Sequence, residues 1–164
     1  MHFLKLLPVV VLSLLLTISC QEQTIQGHIS NELGIDVGNE TVLSHEDDHG
    51  GFHGDGGLTV VLHLTDEATV DRIKENWTPL PLTENLTILI YGKECEGIRP
   101  KFGNGSGSSL FPAVEHGYYY FFDRHSGAVD PSDDTNVLVR HSYNFTIAIF
   151  DTDTNTLYYT EQDT

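Results

Sequence analysis

Residues 45 to 55 read HEDDHGGFHGD and concentrate three histidines and three aspartates in eleven residues. The first five letters match H-E-x-x-H, in which two histidines one helical turn apart hold zinc. The glutamate of that motif activates a water molecule for hydrolysis. Glu46 is therefore the candidate catalytic residue of a metal-dependent hydrolase, with His45, His49 and either His53 or Asp55 as metal ligands.

The residues around this motif do not favour the helix that it requires. Asp47 and Asp48 are poor formers of a helix interior, and Gly50 and Gly51 follow immediately and would end a helix. The sequence therefore predicts a loop here and disfavours a zinc protease.

A glycine-rich loop can place several ligands on one ion without any helix. The candidate metal ligands are His45, His49, His53 and Asp55. Their mixture of nitrogen and oxygen atoms suits zinc or another divalent transition metal better than calcium. The alternative is a solvated connection between two strands, in which histidine and aspartate serve turn formation and solubility.

Two other stretches have residues of functional types, and structural interpretations explain both better. Asp151 to Asn155 begins like a calcium loop, but Thr156 stands where that loop needs glycine, so a hairpin turn is favoured. The aromatic run Tyr118 to Phe122 could stack on a sugar, yet alternation sends successive rings to opposite faces of a strand. We expect a sheet strand there.

The first twenty residues are typical of an export signal. Lys5 precedes an apolar run from Leu6 to Ile18, and the segment ends in Leu-Thr-Ile-Ser-Cys. That ending resembles the lipobox of bacterial lipoproteins, which predicts acylation of Cys20 and anchoring by its lipid, such as palmitate. Plain cleavage and secretion is the alternative. The predicted location is the outer face of the cytoplasmic membrane.

Charge and length limit the possible partners. The chain has 24 acidic and 8 basic residues, for a net charge of -16, which disfavours binding to nucleic acid or to anionic lipid headgroups. We expect contact with the membrane through the lipid alone. The length that remains after the signal suits one domain, and we expect a monomer.

The pattern of apolar residues predicts the secondary structure. One helix is expected from Asp66 to Trp77, because Val70, Ile73 and Trp77 recur at helical spacing. Strands are expected at Thr41–Ser44, Leu58–Leu64, Leu86–Gly92, Tyr118–Arg124, Tyr143–Phe150 and Leu157–Thr160. After a polar lead at 21–40, residues 41–164 are therefore predicted to form a single α+β domain, a small antiparallel sheet with one packed helix.

Three stretches carry a resemblance to a known group: HGGFHGDG from His49, PLPLTENL from Pro79, and YNFTIAIFDTDTNTLYY from Tyr143. With them the chain resembles small uncharacterised lipoproteins of Gram-positive bacteria. The resemblance implies export and surface residence, and it implies no activity.

The sequence leaves three functional classes open. The first is a surface binding or interaction module for an unknown protein or small-molecule ligand. The second is a metal-binding protein or metal-dependent hydrolase that uses the loop at 45–55. The third is a secreted inhibitor or immunity-type protein, for which the acidic surface is the only indication.

Overall fold

A computed structural model describes residues 24–50, 55–93, 109, 111–125 and 127–164. Three helices lie within these residues: α1 (Ile25–Leu33), α2 (Glu67–Asn76) and α3 (Glu84–Tyr91). The strands are β1 (Thr41–Asp47), β2 (Gly56–His63), β3 (Thr78–Pro79), β4 (Gly117–Asp123), β5 (Asn144–Asp151) and β6 (Thr156–Asp163).

The six strands form one sheet in the order β1-β2-β6-β5-β4-β3. Every neighbouring pair is antiparallel. Chain neighbours β1 and β2 form one hairpin, and β5 and β6 form another through the turn predicted after Asp151. Strand β6 lies centrally, between β2 and β5, so its side chains have a neighbouring strand on either side.

The two faces of the sheet are both buried, because helices pack on each. One core contains Ile29 and Leu33 of α1 and Ile73 of α2, together with Val60 and Tyr159 of the sheet. A second core places Leu86, Leu89 and Ile90 of α3 against the opposite sheet face. We call the face under α1 and α2 the α1 face and the other the α3 face.

The helix predicted from Asp66 to Trp77 is confirmed as α2. The Asp66 side chain caps the helix by accepting a hydrogen bond from the backbone N–H of Ala68. Ile73 and Trp77 are buried in the core, which is the contact that their helical spacing predicted.

The predicted fold class, an α+β domain with one packed helix, is wrong. Of the residues that the structure describes, 35% are in strands and 22% in helices, so the sheet dominates, and three short helices accompany it. The run Leu86 to Gly92 was predicted as a strand but forms most of α3. Thr83 accepts a hydrogen bond from the N–H of Leu86 and so begins a helix, which the apolar residues alone do not specify.

Helix α1 lies inside the segment predicted as a polar lead. Thr24 caps its first turn, and Gly34 ends it in the left-handed conformation at φ 66°. Its apolar stripe consists of only three residues at intervals of four: Ile25, Ile29 and Leu33. So narrow a stripe among polar residues is a weak helix signal in the sequence.

A buried carboxylate joins the segment before β1 to the start of α2. Glu40 is 4% exposed and accepts hydrogen bonds from the N–H and hydroxyl of Thr65 and from the N–H of Asp66. Because a charged acceptor satisfies three donors here, its loss leaves polar groups without a partner inside the protein.

We expect Glu40→Ala to lower the free energy of unfolding by about 2 to 3 kcal/mol, since it removes charge-assisted hydrogen bonds from a buried position. Glu75→Ala is the matched control, because Glu75 is exposed on α2. It should change stability by no more than about 0.5 kcal/mol. Urea unfolding followed by circular dichroism measures both, and equal midpoints for the two variants would contradict this role of Glu40.

Candidate metal centre

Helix α1 presents one imidazole and one carboxylate side by side. His28 and Glu32 are four residues apart, which places them on the same face of the helix. The neighbouring positions Ile29 and Leu33 are buried against the sheet. The packing of this apolar stripe therefore holds His28 and Glu32 close to the sheet surface.

Strand β6 supplies a second carboxylate beneath the helix. Leu157, Tyr159 and Glu161 alternate along β6 and point to the α1 face, where the first two belong to the core. Glu161 stands opposite Leu58 of β2 and is only 7% exposed. A glutamate at such a position needs partners that offset the loss of hydration.

The three side chains converge on one point. His28 Nε2 lies 2.7 Å from Glu161 Oε1. One ligand atom from each of His28, Glu32 and Glu161 lies within 4.8 Å of the other two. Within the part of the chain that the structure describes, no other group of three histidine, cysteine or acidic residues meets this condition.

Tyr159 orients the buried carboxylate from below. Its hydroxyl donates a hydrogen bond to Glu161 Oε1. Burial raises the pKa of Tyr159, and the bond to Glu161 raises it further, so the hydroxyl keeps its proton. Glu161 Oε1 thus accepts hydrogen bonds from both Tyr159 and His28. Glu161 Oε2 has no hydrogen-bond partner among the described residues. That oxygen is available to a cation.

A surface pocket of about 510 Å³ opens beside these residues. Residues of α1 and β6 line it together with residues of the described part of the histidine-rich segment at 45–55. The lining residues are Ile25, His28, His45, Asp47, His49, Leu58 and Glu161. Three imidazoles therefore face one pocket, although the sequence separates His28 from the other two.

His49 is held in position by two carboxylates. Its Nδ1 lies 2.8 Å from Asp47 Oδ1, and its Nε2 lies 3.5 Å from Asp163 Oδ2. The hydrogen bond with Asp47 raises the pKa of His49 above its usual value. In turn, hydrogen bonds from the backbone and side chain of His49 lower the pKa of Asp47.

The glycines of this segment have a packing role. Gly56 begins β2 at φ 154°, and a Cβ atom there would lie 2.6 Å from the Cα of His49. Asp48 also pairs with Gly57 through backbone hydrogen bonding, which closes the hairpin at this point. Gly56 therefore lets the chain around His49 approach β2 closely, and this approach brings the His49 imidazole to the pocket.

The structure separates the residues that the sequence singled out. His45 lies on β1 and lines the pocket with His49, whereas Asp55 is exposed directly before β2. Glu46 lies between His45 and Asp47 on β1, so strand alternation directs it to the opposite face. His53 and Cys20 lie outside the described residues.

The H-E-x-x-H letters form no helix, but the loop predicted for them is wrong at its start. His45 to Asp47 belong to a strand, and the two histidines are therefore not one helical turn apart. Both nevertheless line one pocket.

The sequence interpretation missed all three residues of the centre, His28, Glu32 and Glu161. The spacing H-x-x-x-E is a signal only if the segment is known to be helical, and α1 was not predicted. Glu161 carried a clearer signal, because it continues the apolar alternation of Leu157 and Tyr159. An acidic residue at a core-facing position of a central strand indicates a site or a buried ion pair.

Comparisons with known proteins give no relative: no protein-family model, curated protein or solved structure matches the chain. Among the described residues, no helix has the length and apolar character needed to cross a membrane.

We expect Asp47→Asn to lower the pKa of His49 toward its ordinary value, because the substitution removes the carboxylate that favours the charged imidazole. His116 is the internal control: Asp153, 2.8 Å from its Nδ1, raises its pKa in the same way outside the pocket. Asp153→Asn should lower the pKa of His116 alone. NMR titration of the imidazole resonances in the presence of a chelator measures both pKa values. An unchanged pKa of His49 in the Asp47→Asn variant would refute the pairing.

Proposed function

We propose that this protein binds a divalent transition metal, with zinc as the best fit, through His28, Glu32 and Glu161. The observation that carries the proposal is the convergence of one imidazole and two carboxylates from α1 and β6 to within 4.8 Å. This ligand set is one that zinc accepts in proteins.

The surroundings of the three ligands favour a cation. Asp47 and Asp163 add negative charge around the pocket, and the whole chain carries a net charge of -16. Glu161 is largely removed from water, so its attraction for a cation is screened less than that of a surface carboxylate. Tyr159 holds the carboxylate in place, as outer-shell partners do in metal sites.

Metal binding at this centre competes with a hydrogen bond. His28 Nε2 and Glu161 Oε1 are 2.7 Å apart, whereas two ligands of one tetrahedral zinc are separated by about 3.4 Å, given bonds of about 2.0 to 2.1 Å. A rotation of the His28 side chain that moves Nε2 by less than about one ångström provides this space.

The centre is suited to binding and exchange. Three protein ligands leave a coordination position for water or another ligand. His28 and Glu161 also line an open pocket, which gives an ion a path to and from solvent. With the export signal and the lipid attachment at Cys20 that the sequence predicts, we propose capture of metal at the outer face of the cytoplasmic membrane.

A metal-dependent hydrolase is the second candidate, and the pocket beside the centre favours it. In that case His49 replaces Glu46 as the candidate proton acceptor, because His49 lines the pocket and Glu46 lies on the other face of β1. The imidazole of His49 is already oriented by Asp47, as a general base requires.

We expect the purified full chain, freed of metal with a chelator, to bind zinc in isothermal titration calorimetry. His28→Ala and Glu32→Gln should each weaken the tightest binding event by about tenfold or more, since outer-shell changes alone cost about 10- to 100-fold. These substitutions lie at partly exposed positions, so the fold should persist.

His116→Ala and Glu75→Gln are the matched controls, because they remove the same side-chain types outside the pocket. Both should keep the affinity of the unsubstituted protein. If His28→Ala and Glu32→Gln also keep it, the centre is not at α1 and the proposal fails.

A further inference from the structure

The hydroxyl of Tyr159 is fixed in position by the core around it. Tyr159 is fully buried on the α1 face, between Val60 of β2 and Ala148 of β5. Its hydroxyl donates to Glu161 Oε1, which is its one hydrogen-bond partner among the described residues. A closely packed ring cannot turn away from that oxygen without opening a space in the core. The hydroxyl therefore stays on Oε1 when the groups on the solvent side of Glu161 move.

The second donor to the same oxygen is placed differently. His28 Nε2 approaches Oε1 from α1 at 2.7 Å, and the His28 side chain is 36% exposed. Its ring borders the open pocket and so has room to turn. When His28 turns to bind an ion it leaves Oε1, whereas Tyr159 remains. Glu161 in the metal-bound centre then has one hydrogen-bonded oxygen, Oε1, and one free oxygen, Oε2.

Tyr159 is itself excluded as a metal ligand. A tyrosine binds a metal ion through its deprotonated oxygen, and burial raises the pKa of Tyr159. The hydrogen bond to Glu161 raises this pKa further. The hydroxyl therefore keeps its proton and acts on the centre only as a hydrogen-bond donor.

The number of oxygens that Glu161 offers affects which ion the centre favours. A hydrogen bond to one carboxylate oxygen competes with a metal for that oxygen, so the other oxygen becomes the better ligand. Zinc is satisfied by four ligand atoms, here one from each of three side chains and one from water. Manganese prefers octahedral coordination by oxygen, and an ion of higher coordination number gains from a carboxylate that gives both of its oxygens.

We propose that Tyr159 determines the metal specificity of the centre formed by His28, Glu32 and Glu161. Its hydrogen bond to Oε1 restricts Glu161 to coordination through Oε2 alone, and this restriction favours zinc over manganese. The inference rests on the proposed function, because it concerns the same three ligands. Tyr159 is thus a positioning residue, which acts on the ion through Glu161.

The experiment compares the affinities of zinc and manganese in Tyr159→Phe and in the unsubstituted full chain, by competition with a chromogenic chelator. Phenylalanine keeps the buried ring and removes only the hydroxyl. We expect zinc binding to weaken by about tenfold, the lower end of the usual cost of losing an outer-shell partner. Manganese binding should stay the same or strengthen, because Oε1 becomes free to serve as a further ligand. The ratio of zinc to manganese affinity should therefore fall by about tenfold or more.

Tyr91→Phe is the matched control, because the hydroxyl of Tyr91 on α3 donates to the carbonyl oxygen of Pro112, away from the centre. This variant should keep both affinities. A merely structural role of Tyr159 would weaken zinc and manganese binding by the same factor, and that result would overturn the inference while leaving the proposed function intact. Circular dichroism checks that both variants are folded.

A crystal structure of the unsubstituted protein with zinc gives a second test that does not require Tyr159→Phe to fold. Zinc bonded to Glu161 Oε2, with Oε1 still hydrogen-bonded to Tyr159, supports the inference. Zinc bonded to Oε1, or to both oxygens, overturns it. If the unsubstituted protein binds no zinc, the proposed function fails and the inference fails with it.

Discussion

The buried carboxylate of Glu161 needs polar partners, and this need determines how the rest of the site is arranged. It occupies a core-facing position on a central strand, where apolar residues precede it at alternate positions. A charge in such a place is costly unless polar groups surround it. Tyr159 and His28 supply these groups, one from the same strand and one from the helix above. The polar groups on the α1 face therefore cluster around Glu161.

The sheet topology turns this local requirement into a pocket. Strand β2 stands between β1 and β6, so residues at the end of β1 and residues of β6 face each other across Leu58. Helix α1 covers the core, and His28 of α1 lines the same pocket as His45 and Asp47 of β1. His28 and Glu161, which are 133 residues apart in the chain, therefore share one cavity.

The sequence allowed prediction of most strands and of α2, since alternation and helical spacing are local signals. Tyr118 to Phe122 is a strand for the reason first given, because its rings divide between the two cores. The strand predicted over the apolar run that became α3 was wrong, because Leu86 to Tyr91 has no distinctive period. Its helical state depends on the cap at Thr83 and on a covered sheet face.

The residues of the candidate metal centre could be predicted from the sequence only in part. His45 and His49 of the histidine-rich segment line the pocket beside that centre. Its partners depend on tertiary structure: His28 becomes a candidate only once α1 lies over β6, and Glu161 only once the strand order is known. The H-E-x-x-H letters, by contrast, describe a helical arrangement that residues in a strand cannot make.

Anomalous diffraction at the zinc edge, on crystals grown with one equivalent of zinc, locates the ion that binds first. We expect one peak bonded to His28 Nε2 and to carboxylate oxygens of Glu32 and Glu161, at about 2.0 to 2.2 Å. A first-occupied zinc elsewhere on the chain, with His28 still hydrogen-bonded to Glu161, would contradict it.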